Sequence, residues 1–128
     1  MRYMLWAVIA LAAAGCGSEP AAPAGQAGTA APPSGEQAFA VCANCHTRQD
    51  GQGHRVGPNL HGIVGRKAGS AAGYAYSPAM QASGITWDAA SLDAYLANPL
   101  QQVPGGRMSY MVPDAATRQA LIEYLSAP

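Results

Sequence analysis

The chain has 128 residues, of which 49% are hydrophobic and 11% charged, with seven basic residues set against seven acidic ones. That length allows one modest domain, and a neutral, charge-poor chain excludes the basic footprint of a nucleic-acid binder and a solvating acidic tail. Three cysteines are an odd count, so one of them needs an account outside any pairing.

The first residues supply that account. Met1-Arg2-Tyr3 carries one positive charge, and residues 4–14 form an unbroken apolar run. Such a run is too short to cross a bilayer, which takes about 20 residues, and fits the core of a signal peptide. It ends Ala12-Ala13-Ala14-Gly15-Cys16, small residues before a cysteine, as in the lipobox of bacterial lipoproteins. On that reading residues 1–15 are the signal and Cys16 receives lipid; the alternative is a plain secretory peptide with an incidental cysteine. The usual Leu three places before the cysteine is Ala13 here. Either way the chain is exported, and the expected location is the periplasmic side of a bacterial envelope, anchored to membrane through Cys16.

Residues 17–34 contain four prolines, one charge (Glu19) and no apolar period, which reads as a flexible linker after the anchor at Cys16. Its reach is about 20–25 Å on average and about 60 Å when stretched. The domain is expected over residues 35–128. Ser34-Gly35-Glu36-Gln37 has the form of a capping box, opening a helix that carries Ala38, Phe39 and Val41 into Cys42-Ala43-Asn44-Cys45-His46. Residues 47–76 hold seven glycines and no period, a long loop that makes sense only if it wraps something large and apolar. Ser77-Pro78 opens a short helix with Pro at its first position. Another helix spans about 88–97, with Leu92, Tyr95 and Leu96 on one face, and stops before Pro99. The last spans about 114–126, capped by Asp114. No segment alternates as a strand, so the fold class is all-α, small and loop-rich.

The pentapeptide C-x-x-C-H carries the chemistry. Residues three apart on a helical turn share a face, so Cys42 and Cys45 can add to the two vinyl groups of one haem while His46 reaches its iron. Zinc is the rival reading for Cys42, Cys45, His54 and His61, but C-x2-C-x8-H-x6-H misses the finger spacing. A redox C-x-x-C fails because no βαβ pattern surrounds it. For a second axial ligand, Met80, Met108 and Met111 are all available, and periodicity does not choose among them.

Longer motifs extend the pattern: Gly57-Pro58-Asn59-Leu60-His61-Gly62, Gly65-Arg66-Lys67-Ala68-Gly69, Gly84-Ile85-Thr86-Trp87 and Val103-Pro104-Gly105-Gly106-Arg107-Met108. With these the chain resembles class I c-type cytochromes of the mitochondrial cytochrome c and bacterial cytochrome c2 branch. The resemblance implies one covalent haem c on Cys42 and Cys45, with iron held by His46 and, from the Pro-Gly-x-x-Met turn, Met108. It implies a Pro58 carbonyl on the other nitrogen of His46, and Tyr76, Trp87 and Arg66 near the haem propionates. Gly35 and Phe39 are expected against Leu121 and Tyr124. His54 and His61 become loop braces. Met80 departs from the family, whose members usually carry asparagine there. The implied function is one-electron transfer by a monomer that is not an enzyme. It would be tethered to membrane and shuttle between a quinol-oxidising complex and an oxidase, reductase or reaction centre. A dedicated acceptor for one periplasmic dehydrogenase, or a haem peroxidase or gas sensor, are the alternatives. Unlike its basic mitochondrial relatives, residues 35–128 hold six basic and six acidic side chains.

Overall fold

The first helix starts where a serine hydroxyl can satisfy an orphan amide. In the computed structural model, which describes residues 31–127, Ser34 Oγ accepts from Gln37 N at 3.3 Å and Gln37 Oε1 accepts from Ser34 N at 2.9 Å. Signal sequence, Cys16 and most of the linker lie outside the described residues. The capping box opens α1, Gly35–Cys42. Four further helices follow: α2, Pro78–Ala82; α3, Ala89–Ala97; α4, Pro99–Gln102; and α5, Ala115–Ser126. Asp114 caps α5 as expected and Asp88 caps α3, each carboxylate accepting an amide at 2.7 Å, from Thr117 and Ser91.

One helix was not legible in the pattern. Pro99 ends α3 by forcing Asn98 into an extended conformation (φ −156°, ψ 89°). The same proline then serves as the first residue of α4, with Asn98 Oδ1 accepting from Gln101 N at 3.2 Å. A residue that stops one helix therefore starts the next.

α1 and α5 cross at close range. A Cβ on Gly35 would collide with Tyr124 Cβ and stand 2.5 Å from the Ala120 carbonyl oxygen, so only glycine admits this approach. Phe39 meets Tyr124 with ring centroids 5.6 Å apart, and Leu121 beneath them is 1% exposed. Arg48 locks the crossing from the far side. It donates to the carbonyls of Tyr124 (2.6 Å) and Ala127 (2.9 Å), capping the end of α5, and its guanidinium carbon lies 4.0 Å from the Tyr124 ring centroid. On the other face Arg118 ties α5 to α3 through Asp93 at 2.6 Å.

The long loop is held by side chains in place of periodic backbone bonds. Asn59 Nδ2 donates to Thr47 Oγ1 (2.8 Å), Gln49 O (3.0 Å) and Gln52 O (3.1 Å), and its Oδ1 accepts from His61 N. A short antiparallel bridge, Lys67 to Thr86, gives Trp87 its place: Trp87 N donates to Arg66 O at 3.0 Å and Gly65 N to Trp87 O at 2.7 Å. Helices and loop together close around a central apolar space.

Replacing Gly35 with Ala should destabilise the folded protein by about 1–3 kcal/mol through overpacking at the crossing. Gly53→Ala, where nothing lies within 4 Å of the new methyl, should stay within about 0.5 kcal/mol. Denaturant midpoints of the two variants check this.

Candidate functional site

Cys42 is the last residue of α1, and the chain goes on turning past it. The amides of Cys45 and His46 both donate to Cys42 O, at 3.0 and 2.9 Å, which keeps the two thiols and the imidazole on one turn of backbone. Both cysteines are free thiols. Burial pushes the Cys42 thiol up, and Cys45 beside it adds to the shift.

His46 is oriented by the next segment of chain. Its Nδ1 lies 2.7 Å from Pro58 O. A carbonyl only accepts, so Nδ1 carries the proton and Nε2 keeps its lone pair for a metal. Burial lowers the His46 pKa, only partly offset by the Pro58 bond, and the ring is therefore neutral, as a metal ligand must be. Gly57 allows Pro58 to come this near: a Cβ there would strike the ring and stand 2.6 Å from Nδ1.

The imidazole lines a cleft whose walls are mostly apolar. Leu60, Ile63, Leu92, Leu96, Leu121 and Leu125 form much of it; Trp87, Tyr95, Tyr76 and Tyr74 supply an aromatic side. Trp87 and Tyr95 meet edge to face at 5.0 Å, and burial raises the Tyr95 hydroxyl to about 12, so it stays protonated. Cys42, His46, Pro58, Met80 and Met108 line the same space. Cys45 lines an outer mouth continuous with it, together with Val41, Val56, Arg107 and Tyr110.

Of the three methionines left open by periodicity, Met111 is 53% exposed and lines neither space, while Met80 (9% exposed) and Met108 both face the cleft. Met108 sits on a turn pinned at three points. Val103 is 2% exposed and its carbonyl accepts from Gly106 N at 2.8 Å; Gly105 (φ +86°) takes a backbone conformation that side chains rarely adopt, and a Cβ there would crowd Ala79; Arg107 donates to Ala75 O at 2.9 Å. Met80 is held on α2, whose first turn Ser77 caps through a 3.2 Å bond from Met80 N.

Arg66 does not line the cleft. Its guanidinium donates to His61 O (3.1 Å) and Asn59 O (2.9 Å), one layer behind the wall, and its charge acts on Tyr76. Burial raises the Tyr76 hydroxyl and Arg66 partly counters it. His54 is fully committed to the loop, with Nε2 on Ala72 O at 2.8 Å and Nδ1 accepting from Asn59 N at 2.9 Å, which leaves no lone pair for zinc. Tyr74 was not singled out from sequence. Its hydroxyl donates to Val56 O at 2.5 Å, its ring meets His54 and Tyr76 edge-on, and it lines both the inner cleft and the outer mouth. An aromatic in a glycine-rich loop, unsupported by any period, is the one signal that could have marked it.

The site therefore fits a haem held by thioether bonds: a mostly apolar slot, two free thiols at its edge and a neutral imidazole aimed inward. A family model described as cytochrome c matches residues 33–127. Cytochrome c2 of Rhodoblastus acidophilus is 43% identical over 96 residues, covering 74% of this chain and 90% of that protein. Cytochrome c of Guizotia abyssinica is 43% identical over 108 residues, covering 83% and 93%. Among solved structures, cytochrome cH from Methylobacterium extorquens is similar with a TM-score of 0.67 and 45% identity, covering 71% of this chain and 92% of that one.

A methyl at residue 57 should push the His46 ring off its bond to Pro58. Gly57→Ala is expected to weaken metal ligation by about 10–100-fold, as loss of such support does elsewhere. The optical spectrum reads this as loss of the low-spin form, and an unchanged spectrum would contradict the assignment of His46 as ligand.

Proposed function

Because this chain belongs to the cytochrome c family and carries haem c on Cys42 and Cys45 as an electron carrier, we propose that His46 and Met108 are its axial ligands and that it works from a lipid tether at Cys16. The observation that carries the ligand reading is the His46 imidazole, fixed by Pro58 and aimed into a mostly apolar cleft that Met108 shares. When bound, haem supplies a one-electron ferric/ferrous couple, and a neutral thioether on the second side raises its potential. The protein's part is to hold that couple rigid and dry. With both residues as ligands no coordination position would remain for a substrate, which would separate a carrier from a peroxidase or gas sensor. Tyr76 and Trp87 are the donors offered to buried propionates, whose charge is costly without partners. Arg66 supports them from behind by bracing the loop and by its field at Tyr76.

The proposed setting is the periplasmic face of a bacterial membrane. Donor and acceptor would be membrane complexes, a quinol-oxidising one and an oxidase, reductase or reaction centre. The six basic and six acidic side chains of residues 35–128 give little long-range steering, which in a charged carrier raises encounter rates. A tether at Cys16 replaces that contribution by raising the local concentration at the membrane.

Met108→Ala should abolish the near-infrared methionine-to-iron band of the oxidised protein and let the reduced protein bind CO rapidly. If the band survives in that variant and disappears in Met80→Leu, then Met80 is the ligand. Separately, Cys16→Ser should slow electron delivery to membranes at low carrier concentration by roughly tenfold or more. An unchanged rate would remove the tether from the mechanism.

A further inference from the structure

Around His46 the chain folds back on itself as a short ladder. Gly57 N donates to Cys45 O at 2.7 Å, His46 Nδ1 to Pro58 O at 2.7 Å, and Leu60 N to Thr47 O at 2.8 Å. Residues 45–47 are thus each bonded to the returning segment 57–60, and the His46 ring is the middle rung. So short a pairing is marginal on its own and opens from its ends. What holds those ends therefore decides how firmly the ring is held. One end is secured at once, because Cys45 N and His46 N both donate to Cys42 O on α1. The other end runs on to Arg48.

Arg48 reaches across 76 and 79 residues of sequence to the carbonyls of Tyr124 and Ala127. The last carbonyls of a helix lack partners within it, and their partial negative charge suits a cation. Arg48 has no carboxylate partner among the described residues, and there its Nε is buried without a hydrogen bond. A buried N–H left unpaired is unfavourable. Local satisfaction thus does not account for where this side chain lies; the reach to α5 does. Resting on the reading of His46 as an axial ligand, we infer that Arg48 is a positioning residue for that ligand. It anchors the open end of the ladder to α5 and so keeps Nδ1–H on Pro58 O. Arg48 lines neither the cleft nor its mouth, and it acts through Thr47. Thr47 Oγ1 donates to Gly53 O at 2.7 Å and accepts from Asn59 Nδ2 at 2.8 Å, so movement at residue 48 passes into both arms of the ladder. The Nδ1–H bond sets the ring angle and makes the other nitrogen more basic, so loosening it changes what His46 gives the metal.

Arg118 supplies the comparison. It holds the same helix, to Asp93 at 2.6 Å and to the carbonyls of Val112 and Pro113 at 2.9 Å, but none of these partners lies in residues 45–60. The test follows two magnetic-resonance signals of His46 in the haem-loaded chain. Solvent exchange of Nδ1–H in the reduced form reads the ladder, and the hyperfine-shifted ring protons of the oxidised form read the ring angle. Arg48→Met should speed the exchange roughly tenfold or more, as loss of a charge-assisted bond does, and should move the ring-proton signals. Arg48→Lys keeps the charge but loses the fork and the stacking plane, and should move both signals the same way by less. Arg118→Met should also lower the denaturant midpoint, yet leave the exchange rate within about threefold and the ring protons in place. Equal effects of Arg48→Met and Arg118→Met, or none from either Arg48 variant, would overturn the inference. If His46 were not a ligand, its ring protons would lack a hyperfine shift in the unsubstituted chain, so failure of that reading is a separate result.

Discussion

Everything about this site turns on one hydrogen bond, from His46 Nδ1 to the carbonyl of Pro58 at 2.7 Å. It fixes the tautomer, points Nε2 into the cleft and resists rotation of a ring that burial keeps neutral. The bond spans twelve residues of chain, and both ends must be placed independently. Gly57 brings the proline close by having no side chain to meet the ring. At the other end, α1 and the turn beyond it hold Cys42, Cys45 and His46 in sequence along one edge.

The scaffold behind that bond is small, and its stability is concentrated in a few contacts. A domain under a hundred residues buries a limited core, and here most of the buried apolar residues also line the cleft. The α1–α5 crossing is correspondingly tight. Arg48, two residues past His46, ties it to the ligand turn by capping α5 and stacking on Tyr124. Thus the terminal helices do more than close the fold. They hold the backbone that carries His46, so packing at Gly35 bears on the placement of that ring.

Charge sets how such a domain meets other molecules. Its few cations are largely spent inward: Arg48 on α5, Arg55 on Ala43, Arg66 on the loop, Arg107 on Ala75 and Arg118 on Asp93. With six basic and six acidic side chains in residues 35–128, little net long-range field steers partners to the mouth of the cleft. Specificity there has to come from shape and apolar contact, which act over a few ångströms, and from whatever brings partners near in the first place.

Local chemistry was readable from the chain alone. The capping residues Ser34, Ser77 and Asp114 announce α1, α2 and α5 because a cap is satisfied by neighbours three residues away. The spacing of Cys42, Cys45 and His46 announces covalent haem because one turn of backbone sets their geometry. The double use of Pro99 escaped, since a proline that ends a helix gives no local sign that it also begins one. Choices between distant residues needed the tertiary structure. Only packing shows that Met111 faces solvent while Met80 and Met108 face the cleft, that Arg66 stands behind the wall, and that Tyr74 bridges to Val56. Those facts depend on which loop folds over which, over separations that no sequence period spans. The sequence determined the chemistry that each segment carries; the fold decided which of those groups share one apolar space.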